Sequence, residues 1–128
     1  MIDALFNQPN FQISSAMLDM TTMRQQAIAS NLANIEVPNY KRIDIAPQFE
    51  TALEEAIKTG DPQKLGAATR PWLAVDESTT SANRDGNTVT LENELMAMNQ
   101  NNLSHTLHTQ MVTGALLKLR MAITGRPV

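Results

Sequence analysis

Cysteine is absent from the 128-residue sequence, which removes disulfides and thiolate metal sites and suits a protein that ends in an oxidising compartment without needing staples. Aromatic residues are scarce, with one Trp, one Tyr and three Phe against eight Met. So few rings make a thin core of Leu, Ile, Ala and Met, the last an unbranched thioether that fills irregular gaps. The methionines suit either adaptable packing surfaces or an ordinary helical interior. Positive charge is not in surplus: ten basic and thirteen acidic residues leave a net charge of -3, so nothing grips a phosphate backbone and nucleic acid is not expected as a partner. Long apolar runs are missing too, none approaching the ~18 residues that a membrane span requires. Residues 1–11 carry no basic n-region, apolar h-region or small-residue cleavage site, so no cleaved secretory signal is expected.

Patterns that carry chemistry are equally sparse. His105 and His108 lie three apart on one helix, but no supporting third ligand accompanies them, and a seam histidine with a flanking neighbour is the simpler reading. Gly60, Gly66, Gly86, Gly114 and Gly125 form no phosphate loop, and no Ser stands in a nucleophile elbow. Glu54 and Glu55 read as a solvated pair on a helix surface. No catalytic residue, metal or cofactor is assigned, and the chain is not expected to be an enzyme.

What the sequence does have is helical periodicity at both ends. Leu91, Leu95, Met98, Asn102, His105, Thr109, Val112, Leu116, Leu119 and Ile123 step by four and three, which predicts a helix over 91–124, roughly 50 Å long at 1.5 Å per residue. Thr90 can cap its start, and Gly125 with Pro127 stops it. One apolar stripe of that length requires a partner. Residues 12–36 supply it: Ile13, Ala16, Met20, Met23, Ala27, Ser30 and Asn34 repeat with heptad spacing, and Ile28, Leu32 and Ile35 add a second strip. Each helix thus has more apolar surface than one narrow seam, as expected if each also touches a second neighbour. The polar members, Asn34 and Asn102 among them, either fix register across the seam or form a solvated patch.

Between the ends, Val37-Pro38-Asn39-Tyr40 terminates the first helix, because a residue before proline leaves the helical region and Asn tolerates a left-handed turn. A short amphipathic helix is predicted over 47–59, with Pro47 at its first position, Phe49, Leu53, Ala56 and Ile57 on one face, and Gly60 as its stop. Residues 61–89 read as a long loop or arm; Asp85-Gly86 could turn a small hairpin, and Trp72 either anchors the arm or makes a plain local contact. The fold expected is all-α: a single domain, 1–128, whose two long terminal helices pack as an antiparallel coiled coil, with a short helix and an extended loop or small hairpin between them.

The segment Ser30-Asn31-Leu32-Ala33-Asn34-Ile35-Glu36-Val37-Pro38-Asn39-Tyr40 resembles the signature of flagellar rod and hook proteins, S-x-N-[IL]-A-N-x-x-T-P-x-Y. Ser30, Asn31, Leu32, Ala33, Asn34, Pro38 and Tyr40 match; Val37 stands for the usual Thr and Asn39 for the commonest Gly. Asp85-Gly86-Asn87-Thr88-Val89 before the long helix is similar to the corresponding region of the innermost proximal rod subunit, and the short chain has no room for the large β-domains of distal members. The resemblance implies a structural subunit of the periplasmic rod, exported unfolded by the flagellar type III apparatus without a cleaved signal. It also implies helical assembly with other copies and other rod proteins, next to the export gate and the basal-ring adaptor protein. Such a subunit should show weak helicity and low cooperativity when isolated. Leu5, Phe6 and Phe11 then belong either to the export signal or to a docking surface. A helical-hairpin adaptor or chaperone that holds another protein's helix is the alternative reading.

Overall fold

The computed structural model describes residues 9–60, 64, 70–80 and 83–125. The described residues are mostly helical, and among them lie three helices and one small sheet: α1 (Pro9–Ala33), β1 (Ile43–Ile45), α2 (Pro47–Thr59), β2 (Leu73–Val75) and α3 (Leu91–Thr124). Leu5, Phe6, Gly66 and Pro127, as well as much of the expected arm, lie outside the described residues.

α2 shows how local sequence sets an element. Pro47 occupies the first turn, where its missing N–H costs nothing, and Gly60 ends the helix at φ 62°, its N–H bonding Ala56 O at 2.9 Å. Phe49, Leu53 and Ala56 are buried, whereas Ile57 turns outward and is 40% exposed, a correction to the face read from the sequence. Against these residues pack Ala16 and Ile45, flanked by Ile13, Met17, Met20, Met23 and Leu73, and this is the apolar core. Trp72 lies edge-on to Phe49, centroids 6.1 Å apart, and its carbonyl accepts the Ala46 N–H at 2.9 Å, so it does anchor its loop.

The all-α expectation is corrected by the antiparallel pair β1–β2, in register Ile43↔Val75, Asp44↔Ala74 and Ile45↔Leu73. No hairpin forms at Asp85-Gly86. Residues 85–88 instead run beside 39–42, with Asn39 N–H to Asp85 O at 3.0 Å and Thr88 N–H to Tyr40 O at 3.1 Å.

α1 and α3 run antiparallel: Asn31 meets Glu94, Thr21 and Gln25 meet Asn101, and Thr21 meets His105. The facing surfaces differ from those read from the heptads. On α3 the buried and half-buried positions include Glu94, Met98, Asn101, His108, Val112, Ala115 and Leu119, while Leu91, Leu95, Asn102, Thr109, Leu116 and Ile123 are exposed. Four of the ten predicted seam positions, Leu95, Asn102, Thr109 and Leu116, are therefore replaced by the residue one position earlier, while Met98, Val112 and Leu119 keep their place. On α1, Ile13, Met20 and Met23 pack on the α2 core, and the side toward α3 carries Thr21, Gln25 and Asn31. The physical reason is that both helices are apolar on more than one side, so the polar partners decide which side pairs: a buried amide or carboxylate must face a hydrogen-bonding group. Asn102 consequently has no role opposite Asn34. Thr90 stands at the N-cap in extended conformation, but its hydroxyl makes no capping bond.

Candidate functional site

Where α1 ends, the motif string Ser30-Asn31-Leu32-Ala33-Asn34 becomes a knot. Asn31, fully buried, treats β1 as a strand would: its Nδ2 donates to Ile43 O at 2.8 Å and its Oδ1 accepts from Ile43 N–H at 3.0 Å. The same Nδ2 reaches Glu94 Oε2 at 3.3 Å. Tyr40 returns its hydroxyl to Ser30 Oγ at 3.2 Å and Asn31 Oδ1 at 3.4 Å, closing the turn that Pro38 begins. Asn34 Nδ2 donates to Ser30 O at 2.7 Å, satisfying a carbonyl of the last helical turn.

Asn87 caps that helix end from across the fold. Its Nδ2 lies 3.0, 2.9 and 2.8 Å from the carbonyls of Asn34, Ile35 and Val37, and its Oδ1 accepts Val89 N–H at 2.8 Å. Two left-handed residues make the approach possible, Asn39 at φ 60° and Gly86 at φ 80°. A Cβ on Gly86 would stand 2.5 Å from Asn39 Oδ1, so the Asn39 side chain would have to shift, and the positive φ favours glycine there as well.

Beneath the knot lies a charge hub. Arg42 Nε donates to Glu94 Oε1 at 2.6 Å, and its NH1 donates to Asp44 at 3.0 Å and Asp76 at 2.7 Å. Glu94 is fully buried, and one guanidinium thereby joins β1, the segment after β2 and the first turn of α3. Burial works against the charge of Arg42, but the hydrogen bond and charge of Glu94, aided by Asp44, raise its pKa well above the ordinary value. Burial also opposes ionisation of Asp44, yet the Ile45 N–H and the cations Arg24 and Arg42 hold its carboxyl below the usual range. Asp76 is likewise lowered: Ser78 and Arg42 outweigh its desolvation. Arg24 extends the hub, donating to Asp44 at 2.9 Å and also pairing with Glu50 on α2.

Away from the knot, α3 exposes Met96, Leu103, Leu107, Met111, Leu117, Met121 and Ile123, with Leu103 at 74% and Ile123 at 71%. From Asn102 to Gly125 no α3 residue is buried. Such a run of large apolar side chains in water marks an interaction surface rather than a finished exterior.

Among the residues singled out in the sequence, Ser30, Asn31, Asn34 and Tyr40 come together in the knot. Leu32 is half-buried, while Ala33 and Pro38 are exposed. Ala27 is buried within the fold, and Leu91, Leu95, Leu116 and Ile123 join the exposed face. Sequence reasoning missed Arg42, Asn87 and Glu94. The signal was position, Arg42 just after the first motif string and Asn87 within the second; Glu94, an acid in the first turn of a helix, carried no signal of burial.

The arrangement holds backbone segments and presents an apolar helix; among the described residues no group of three or more His, Cys, Asp or Glu is placed to hold a metal ion. No helix among them is long and apolar enough to cross a membrane. No protein-family model matches the chain. It is 33% identical over 109 residues to the flagellar basal body rod protein FlgB of Borreliella burgdorferi, an alignment covering 72% of this chain and 78% of that protein. It is 31% identical over 108 residues to FlgB of Borrelia hermsii, with the same coverage of 72% and 78%, and 27% identical over 113 residues to FlgB of Bacillus subtilis, covering 84% and 88%.

Proposed function

Because the chain belongs to the FlgB family of flagellar basal body rod proteins, which are structural and not enzymatic, we propose that it is a proximal subunit of the periplasmic rod. In this reading it assembles helically with other copies and with other rod proteins into the drive shaft and export channel. It arrives through the flagellar type III export gate without a cleaved signal and meets the basal-ring adaptor protein. The terminal helices complete their coiled-coil packing in the assembled tube, whose inner wall they line.

The observation that carries this reading is the uncovered apolar length of α3. Heterologous contacts made by such a face propagate into open helical assemblies when the rotation does not close. The knot and charge hub, by contrast, are satisfied internally and suit a rigid head that transmits torque. The assembly residues are Ile13, Met20, Met23, Ala27, Leu91, Leu95, Met98, Val112, Leu116, Leu119 and Ile123, some spent inside the subunit and the exposed ones left for its neighbours.

Replacing Leu103 and Leu107 with Glu tests the proposal in motile cells. Both side chains are exposed, so the subunit should fold and be exported, while rods fail to assemble and motility is lost. Normal rods and swimming with both substitutions would contradict it. A defined dimer or a stoichiometric complex of the wild-type chain by native mass, with no open polymer, would favour the adaptor reading instead.

A further inference from the structure

Halfway along the α1–α3 pair stand two histidines that the rod reading does not use. His105 Nδ1 lies 3.0 Å from Thr21 Oγ1, and the Thr21 hydroxyl donates to Leu18 O at 2.8 Å, so the histidine is the donor in its own bond. His108, one turn on, is half-buried and hydrogen-bonds the Met17 backbone. Its Nδ1 is buried without a partner, so Nε2 makes the Met17 bond and the neutral ring suits the site.

A second proton on His108 would sit on that buried Nδ1 with nothing to accept its hydrogen bond. Among the described residues no carboxylate is placed to offset the charge. From Leu95 to the end of the chain there is neither Asp nor Glu, and α1 has one acid, Asp19. Asp19 follows Met17 by two residues, about 200° round the helix, and is exposed near Arg70 and Gln26. The other charge on α1, Arg24, is engaged by Asp44 and Glu50, and on α3 the nearest titratable neighbour is His105, itself basic. α2 packs on α1 through Ala16, Phe49, Leu53 and Ala56 and brings no acid to this contact.

We propose that the α1–α3 pair contains an acid-labile joint, in which protonation of His108 parts the two helices near their midpoint. Burial first and the neighbouring His105 second lower the His108 pKa from 6.5, against the Met17 bond, which raises it. The folded pKa thus lies below the unfolded one. Pairing is at full strength above pH 6.5 and weakens as the pH falls below it, until the folded pKa is passed. One proton makes the closed-to-open ratio fall by at most about tenfold per pH unit. The window is separate from that of Asp44 and Asp76, whose lowered carboxyls titrate further into acid. The inference rests on these side chains alone and does not depend on the rod assignment.

Hydrogen exchange of the full-length subunit tests it, with protection at residues 101–108 compared between pH 7.5 and pH 5.5 after correction for intrinsic rates. We expect several-fold loss of protection there at the lower pH, no loss in α2, and no pH effect in His108→Gln, whose amide can keep the Met17 bond. Ring titration by NMR should place His108 below the free value, and His105→Gln should raise it. Equal protection at both pH values, no protection at pH 7.5, or an unchanged loss in His108→Gln would each overturn the proposal. So would a His108 ring that titrates at or above the free value.

Discussion

Three residues settle where the chain reverses. Asn31, Asn87 and Glu94 are each fully buried, and each satisfies groups from a different segment. Removing the Asn31 side chain strands the Ile43 N–H and carbonyl; Asn31→Ala should cost about 3 kcal/mol in urea denaturation, the sum of two unmet buried groups. Glu94→Leu leaves Arg42 with two carboxylates instead of three and should cost roughly 3 kcal/mol, below the upper end for a fully orphaned buried charge. Gly86→Ala meets Asn39 Oδ1 and a positive φ together, so it should cost at least ~1 kcal/mol, and Asn39→Gly in the same chain should recover part of that. Additive losses in that double mutant would show that the Gly86–Asn39 approach is not tight. The lowered carboxyls of Asp44 and Asp76 contribute stability that is complete above their unfolded pKa of 3.8 and lost as the pH falls below it. A head whose α2 and sheet amides open between pH 6 and pH 5 would contradict that window. Of this layer, Ser30, Asn31, Asn34, Pro38 and Tyr40 were legible as a motif and Asn39 as a turn, but their partners were not. Arg42 and Glu94 are 52 residues apart, and nothing local ties one to the other.

At the scale of elements, punctuation was readable and orientation was not. Pro47 and Gly60 bracket α2, and Gly125 closes α3 at φ 64° with its N–H on Met121 O at 2.9 Å. The strands were invisible because each has three residues, too few for an alternating pattern, and they pair across an intervening helix. Part of the α3 stripe, at Leu95, Asn102, Thr109 and Leu116, was placed one position off because apolar residues surround that helix, and a heptad count cannot rank one face over another. What ranks them is polar: Asn101 donates to Thr21 O at 2.9 Å and Gln25 Oε1 at 3.0 Å, so its side of α3 turns inward. Gly114, in the middle of this helix, has open space around it. Gly114→Ala should therefore raise the helicity of the isolated subunit, by about 0.5–1 kcal/mol of local stability, read by circular dichroism. A loss of helicity would mean that the glycine serves a close approach not seen in the single chain.

The whole molecule divides by what covers it. Most buried residues fall between Thr21 and Asn101, where α1, α2, the sheet and the start of α3 enclose one another. Beyond Asn101 the long helix continues for more than twenty residues with most of its large apolar side chains exposed, and most helical stability depends on burying such a face. A head that is complete and a stem that is not describe a subunit whose native state belongs to an assembly, in keeping with its family. The isolated chain should accordingly show less helix than the 68% found among the described residues, with the deficit in the stem. Hydrogen exchange at residues 113–124, compared between the isolated subunit and intact basal bodies, measures this most directly. The account predicts near-random exchange in the isolated chain and strong protection in the assembly, with α2 protected in both. Equal, strong protection of 113–124 in the isolated chain would contradict it.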